Sequence, residues 1–225
     1  MSTSTTPLSV QIFSDVQCPW CYIGKRKFEA AVADFEAQGG AVDVVYRSFE
    51  LAPDTPVDFE GTPVDYLSQR KGVTPEQAQQ MIARVSGIAE SVGLEYHYDD
   101  IHQTNTVLAH ELLHFAKAHG KQLELKERLL RAYFTEGRHI GKADELAELA
   151  AEVGLDADAA REALAEHTYL GDVKADMAQA VAYGIQGVPF YVVDEKYGIS
   201  GAQDPQMFLA ALTQAAEARS GAEAR

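Results

Sequence analysis

Cysteine is scarce in this sequence: two residues in 225, both in the tetrapeptide Cys18-Pro19-Trp20-Cys21. That scarcity excludes a scaffold stapled by several disulfides, and a four-cysteine zinc site would lack its second half. Basic residues are also short. Nineteen Lys and Arg stand against 34 Asp and Glu, a formal net charge of −15. Binding a phosphate backbone calls for the opposite balance, so nucleic acid is excluded as a partner, and an anionic membrane surface with it. No stretch approaches the roughly 20 apolar residues of a membrane span. Residues 1–8 lack a basic segment followed by an apolar run, so no secretory signal is read and a cytoplasmic location is expected. Internal repeats and low-complexity linkers are lacking too.

What is present centres on that tetrapeptide. It follows the apolar stretch Val10-Gln11-Ile12-Phe13 and opens a helical pattern. In a reducing cytoplasm, a CxxC at a strand-to-helix junction is a redox device more often than a staple. So short a loop would in any case remove little unfolded-state entropy as a disulfide. Helix N-termini carry unpaired N–H groups and the positive end of the macrodipole, which favour an anion. Cys18 at the N-cap is therefore expected to have a depressed pKa. Pro19 suits the first helical position, where its missing N–H costs nothing. One turn on, Cys21 can resolve a mixed disulfide formed on Cys18. Lys25, Arg26 and Lys27 follow and are expected to add positive potential.

Along the chain, Leu8 to Ser14 reads as a strand. Cys21, Gly24, Phe28, Ala31 or Val32, and Phe35 recur at helical spacing until Gly39-Gly40, and Val42 to Phe49 forms a second strand. Helices then follow one another for more than a hundred residues. They are punctuated by Thr62-Pro63 and Gly72, the capping box Thr74-Pro75-Glu76-Gln77, Gly93, Thr104 or Asn105, Gly120, Gly154 and Asp156. Leu123 to Glu136 and Asp144 to Val153 are two of them. Leu170, Val173, Met177 and Val181 read as the buried stripe of the last. Strands return at Phe190 to Val193 and Tyr197 to Ser200. Asp204-Pro205 opens a final helix, whose tail beyond Arg219 is expected to fray. The order is β-α-β, a helical block, then β-β-α, so the two ends must pair to complete one sheet.

That arrangement resembles the thioredoxin fold as elaborated in the DsbA-like family, and within it the FrnE-like, or 2-hydroxychromene-2-carboxylate isomerase/DsbA-like, branch. The segments that carry the resemblance are Phe13-Ser14-Asp15-Val16 with Cys18 to Lys25, Arg47-Ser48-Phe49-Glu50-Leu51, Asn105 to His110, and Gly184-Ile185-Gln186-Gly187-Val188-Pro189-Phe190 leading to Tyr197 to Gln203. It implies an α/β, thioredoxin-like fold with a large all-helical insertion. The thioredoxin-like domain would comprise residues 1–51 and 185–225, and the insertion 52–184. The resemblance also implies a cis peptide at Val188-Pro189 opposite the dithiol, presenting backbone to an extended substrate.

The implied activity is thiol–disulfide exchange by Cys18 and Cys21, on protein or peptide thiols or a low-molecular-weight thiol. Pro19, Trp20, Val188 and Pro189 would meet substrate. Trp20 stands where periplasmic DsbA-type proteins commonly carry His. It either tunes the thiol or serves as an apolar contact. No cofactor beyond the dithiol is expected, and no metal. Glutathione-dependent isomerases and transferases of this fold typically carry serine at the Cys18 position, so the complete CxxC favours exchange. A non-catalytic, peptide-binding holdase is the remaining alternative.

One further motif invites another reading. His110-Glu111-Leu112-Leu113-His114 satisfies the H-E-x-x-H pattern of zinc proteases. The helical period, with Leu108, Leu112 and Phe115 inward, places both histidines on the opposite, polar face. No third ligand has a characteristic spacing, and the protease reading is disfavoured. A mixed Cys18/Cys21/His110/His114 metal site has suitable ligand types but no spacing to support it.

Overall fold

A computed structural model of the protein describes residues 6–223. Strand β1 (Leu8–Ser14) leads into helix α1 (Pro19–Ala37) and back into β2 (Val42–Ser48). The two strands run parallel, with Leu8 opposite Val42 and Ser14 opposite Ser48. Seven α-helices separate β2 from the next strand: α2 (Pro63–Lys71), α3 (Pro75–Glu90), α4 (Val107–Ala118), α5 (Gln122–Phe134), α6 (Ala143–Glu152), α7 (Ala157–Ala165) and α8 (Leu170–Ala182). Then β3 (Phe190–Val193), β4 (Tyr197–Ser200) and α9 (Pro205–Glu223) close the chain. The sheet order is β2-β1-β3-β4, with β3 antiparallel to both of its neighbours. This is the α/β, thioredoxin-like arrangement with a helical insertion.

Local signals explain most element ends. Thr62 and Thr74 close reciprocal capping boxes with Asp65 and Gln77, each with proline in the first turn. Asp156 accepts from the N–H groups of Asp158 and Ala159, satisfying two donors that helix geometry leaves free. Gly72 ends α2 in the left-handed conformation that glycine adopts without steric cost.

Two cores result. Leu8, Val10 and Ile12 of the sheet pack with Phe28, Ala31 and Phe35 of α1, and with Phe208 and Leu212 of α9. The second core is formed chiefly by the insertion helices, and Val16, Tyr22 and Ile23 reach into it from either side of the CxxC. Polar pins tie the insertion to the sheet. The Gln122 side chain donates to the Tyr46 carbonyl and accepts from its N–H, both at 3.0 Å, like an added strand. Asp176 on α8 accepts from the Ser48 N–H at 2.9 Å and pairs with Arg47 at 3.0 Å.

Several expectations are corrected. Val181 is 78% exposed; α8 instead buries Val173, Asp176 and Ala180, a polar residue on the inward stripe because Ser48 and Arg47 need its carboxylate. His110 and His114 are buried, not on a polar face. Helix α4 buries every residue from Ala109 to Ala116, because other elements surround it. Helix α9 is assigned to Glu223, and residues 224–225 lie outside the described residues.

Candidate active site

Cys18 occupies the N-cap of α1 with extended backbone angles, and Pro19 starts the helix. The Cys21 N–H donates to the Cys18 carbonyl at 3.0 Å, so the first turn brings the side chains together. Cys18 and Cys21 approach to 3.4 Å. Both are free thiols, each only 3% exposed. Across from them runs the segment before β3. The Cys18 thiol lies 3.6 Å from the Val188 carbonyl oxygen, a weak S–H donation. The Val188–Pro189 peptide is cis.

Gly24 makes this approach possible. A Cβ there would stand 2.7 Å from Tyr191 Oη and 3.0 Å from Pro189 Cγ. The helix can lie against that segment only because the side chain is missing. Tyr96, from the loop after α3, anchors the other side by donating to the Pro19 carbonyl at 2.7 Å.

The charges around the dithiol differ from the expected ones. Lys25 and Arg26 are tied to Glu29 and Glu127, and the Lys27 ammonium donates to the Ala202 carbonyl at 3.3 Å. The cation that acts on the sulfurs is Lys126 of α5. Its side chain is fully buried, its Nζ has no hydrogen-bond partner among the described residues, and it sits over the Tyr46 ring. Burial pushes its pKa down to about 8, against the pull of the thiolate and Asp15 charges. In the sequence, Leu123-Glu124-Leu125-Lys126-Glu127-Arg128 gives no signal for this, since a lysine among charges reads as solvent-facing. The 3.6-residue period through Leu125 and Leu129 was the only hint.

The two thiols are one electrostatic unit. Burial opposes the ionisation of Cys21, but a hydrogen bond from Cys18 and the Lys126 charge outweigh it and lower its pKa. Cys18 is the partner that keeps its proton: that same hydrogen bond, burial and the Cys21 charge push its pKa well up. The expectation of a depressed Cys18 pKa is therefore corrected. The pair loses one proton readily and holds the second, as two interacting sites must. The Lys126 charge favours that first ionisation of the pair.

Asp15, just before the dithiol, is fully buried. Burial works against its charge, but His110 and the Leu51 N–H, 2.8 Å away, hold its pKa below the ordinary value. The H-E-x-x-H residues are used in this way. His110 Nε2 lies 3.3 Å from Asp15, His114 Nε2 3.0 Å from Asp176, and Glu111 2.9 Å from His167 Nδ1. The two histidines address different carboxylates on different elements. Among the described residues no group of three or more His, Cys, Asp or Glu could hold a metal.

Cys18 opens into a cleft of about 640 Å³ between the CxxC and the insertion. Pro19, Trp20 and Val188 line it beside Cys18, and Tyr66, Leu67, Met81 and Ile82 form the facing wall. Trp20 is 40% exposed there. Cys18, Pro19, Trp20 and Val188 thus share one cavity, and Pro189 adjoins it.

The DSBA-like thioredoxin domain matches residues 9–213. The chain belongs to the DsbA-like thioredoxin family. This DsbA-like protein is 30% identical over 206 residues to the uncharacterized protein YwbO of Bacillus subtilis (strain 168), covering 91% of this chain and 95% of the relative. The probable DsbA oxidoreductase SCO1869 from Streptomyces coelicolor superposes with a TM-score of 0.86 at 40% identity, over 92% of this chain and 89% of that one. The cytosolic disulfide reductase DsbM from Pseudomonas aeruginosa shares the fold, at 18% identity and a TM-score of 0.63 over 92% and 98% of the two chains. DsbM also has a structure with GSH. Among the described residues, no helix is long and apolar enough to cross a membrane.

Proposed function

We propose that this DsbA-like protein is a cytoplasmic thiol–disulfide oxidoreductase, with Cys18 as the entering nucleophile and Cys21 as the resolving thiol. One observation carries the reading: two free thiols 3.4 Å apart, of which Cys18 lines an open cleft and faces the Val188 carbonyl. In the reductive direction the Cys18 proton passes to Cys21, and the Cys18 thiolate attacks one sulfur of a substrate disulfide. A mixed disulfide forms and the first substrate thiolate leaves, taking up a proton. Cys21, deprotonated, then attacks the Cys18 sulfur. The Cys18–Cys21 disulfide forms and the second substrate thiol departs with a proton. Two electrons pass from the dithiol to the substrate, and the reverse sequence oxidises a substrate dithiol.

Lys126 supports Cys21 as a thiolate, through charge and not through a hydrogen bond. The Val188 backbone would pair with an extended substrate, Pro189 would hold that segment in place, and Pro19 and Trp20 would form the near wall. No cofactor beyond the dithiol is invoked. We read residues 52–184 as an inserted domain that roofs the cleft, and 1–51 with 185–225 as the domain that bears the chemistry. Protein, peptide and small thiols are all candidate substrates, and the fold shared with a cytosolic reductase supports the location proposed here.

The test is trapping. Cys21→Ser protein incubated with a disulfide substrate should accumulate a mixed disulfide on Cys18, detected as an added mass that dithiothreitol removes. Cys18→Ser protein should form none and should not reduce insulin. Full activity in the Cys18→Ser protein would overturn the assignment.

A further inference from the structure

The charge on the cleft is opposite to the charge on the protein. Acids outnumber bases 34 to 19 along the chain, yet the charged residues lining the cavity beside Cys18 are Arg70, Lys71 and Arg84, with no Asp or Glu among them. Arg70 already has a partner in Asp54, at 2.7 Å. Lys71 and Arg84 have no side-chain partner among the described residues. Arg84 is singular in this respect. Arg26, Arg47, Arg70, Arg128, Arg131, Arg138, Arg161 and Arg219 all form salt bridges, so Arg84 is the one described arginine that forms none. In a chain so rich in carboxylates, an arginine left unpaired at the mouth of a reactive cleft is available to a carboxylate from outside. Its planar fork of donors suits that group.

Size and access narrow the occupant further. A cavity of about 640 Å³ is in the range of small-molecule sites, roughly 300–1,000 Å³. Cys18 is only 3% exposed where it lines that cavity, so its sulfur is reached through the cleft.

Resting on the exchange reading above, we propose that the substrate of this cleft is a low-molecular-weight thiol or disulfide that carries carboxylates, selected by Arg84 and Lys71 while its sulfur reaches Cys18. The small disulfide RS–SR accepts two electrons from the dithiol: Cys18 forms Cys18–S–SR and expels one RSH, and Cys21 expels the second as the Cys18–Cys21 disulfide closes. The one proton held by the singly ionised pair and one from water leave with the two RSH products.

Three small disulfides of similar length separate the outcomes: 3,3′-dithiodipropionate (anionic), 2-hydroxyethyl disulfide (neutral) and cystamine (cationic). Oxidation of the reduced protein is followed by the fluorescence of Trp20, the one tryptophan in the chain. Each rate is divided by that of the same disulfide with free dithiothreitol, which cancels intrinsic reactivity. The normalised rate for the anionic disulfide should exceed that for cystamine by about tenfold or more at low salt. The ratio should shrink toward one near 1 M salt, where the screening length falls to about 3 Å. Arg84→Gln with Lys71→Gln should collapse the ratio, and Arg84→Glu with Lys71→Glu should invert it. A ratio at or below one, or one that these substitutions leave unchanged, overturns the proposal while exchange itself stands. So does an anionic preference seen only with an acidic peptide disulfide, which would make the occupant a polypeptide. Failure of all three disulfides to oxidise the pair would overturn the exchange reading as well.

Discussion

The ammonium of Lys126 lies 5.3 Å from the centroid of the Tyr46 ring, fully buried and without a hydrogen bond to any described residue. A cation over an aromatic face recovers part of its lost hydration, on the order of 2 kcal/mol when desolvated. The remaining cost is met only by the negative charges nearby, Cys21 first among them. An interaction that is poor for stability and favourable for one protonation state of the dithiol belongs to chemistry more than to folding.

Lys126→Met should therefore separate the two roles. The first thiolate of the pair should form about one pH unit higher or more, read as absorbance at 240 nm, because its opposite charge is gone. Stability should not fall, since a buried unpaired charge is replaced by an apolar chain of similar length. A large loss of stability with an unmoved thiolate titration would assign the lysine to packing alone.

The same residue gives a pH signature. Its folded pKa, about 8, is depressed from 10.5, so between those values the unfolded chain holds a proton that the folded chain has lost. Stability should accordingly rise with pH across that window, by on the order of 3 kcal/mol in the full shift. Urea unfolding at pH 8 and pH 10 should show this rise in the wild type, and the Lys126→Met protein should lack it.

Asp176→Ala tests the tie between insertion and sheet. The substitution removes the acceptor of the Ser48 N–H and the carboxylate that pairs with Arg47 and His114, and a loss of about 3–5 kcal/mol is expected. The pKa of Asp176 is held down: burial opposes the charge, but His114 and the Ser48 N–H outweigh it. Its contribution is thus present above the ordinary carboxyl value near 3.9 and disappears as pH falls through the lower folded value. The wild-type and Asp176→Ala melting temperatures should converge in acid. A constant difference down to pH 2 would count against this account.

Gly24→Ala places a methyl group against Tyr191 and Pro189. Overpacking of this kind costs about 1–3 kcal/mol, and the helix can relieve it only by backing away from the Val188 segment. Exchange should slow by more than the fraction unfolded explains, measured as insulin reduction beside a thermal melt. Unchanged exchange with normal stability would show that the close approach is unnecessary.

How far the sequence could be read depended on whether a signal was local. The helix start at Thr62-Pro63, the capping box at Thr74, the Asp156 cap and the strand at Leu8 to Ser14 were all legible, because each depends on neighbours within a few residues. The histidines of α4 were misplaced for a definite reason. A helical period identifies one inward face on the assumption that another faces water, and α4 has no such outer face over Ala109 to Ala116. Val181 failed in the reverse sense: it shares a helical stripe with the buried Val173 but is itself exposed.

The amino-acid order alone determined that two cysteines would share one helical turn at the end of a strand. It also determined that Pro19 would start that helix and that the strands at the chain's two ends would have to pair. The tertiary structure decided which charge acts on those sulfurs, which backbone faces Cys18 and which cations edge the cleft. Lys126, Val188 and Arg84 come from three segments far apart in the chain. Their positions follow from how whole helices and strands pack on one another, and short-range propensity carries no record of that packing.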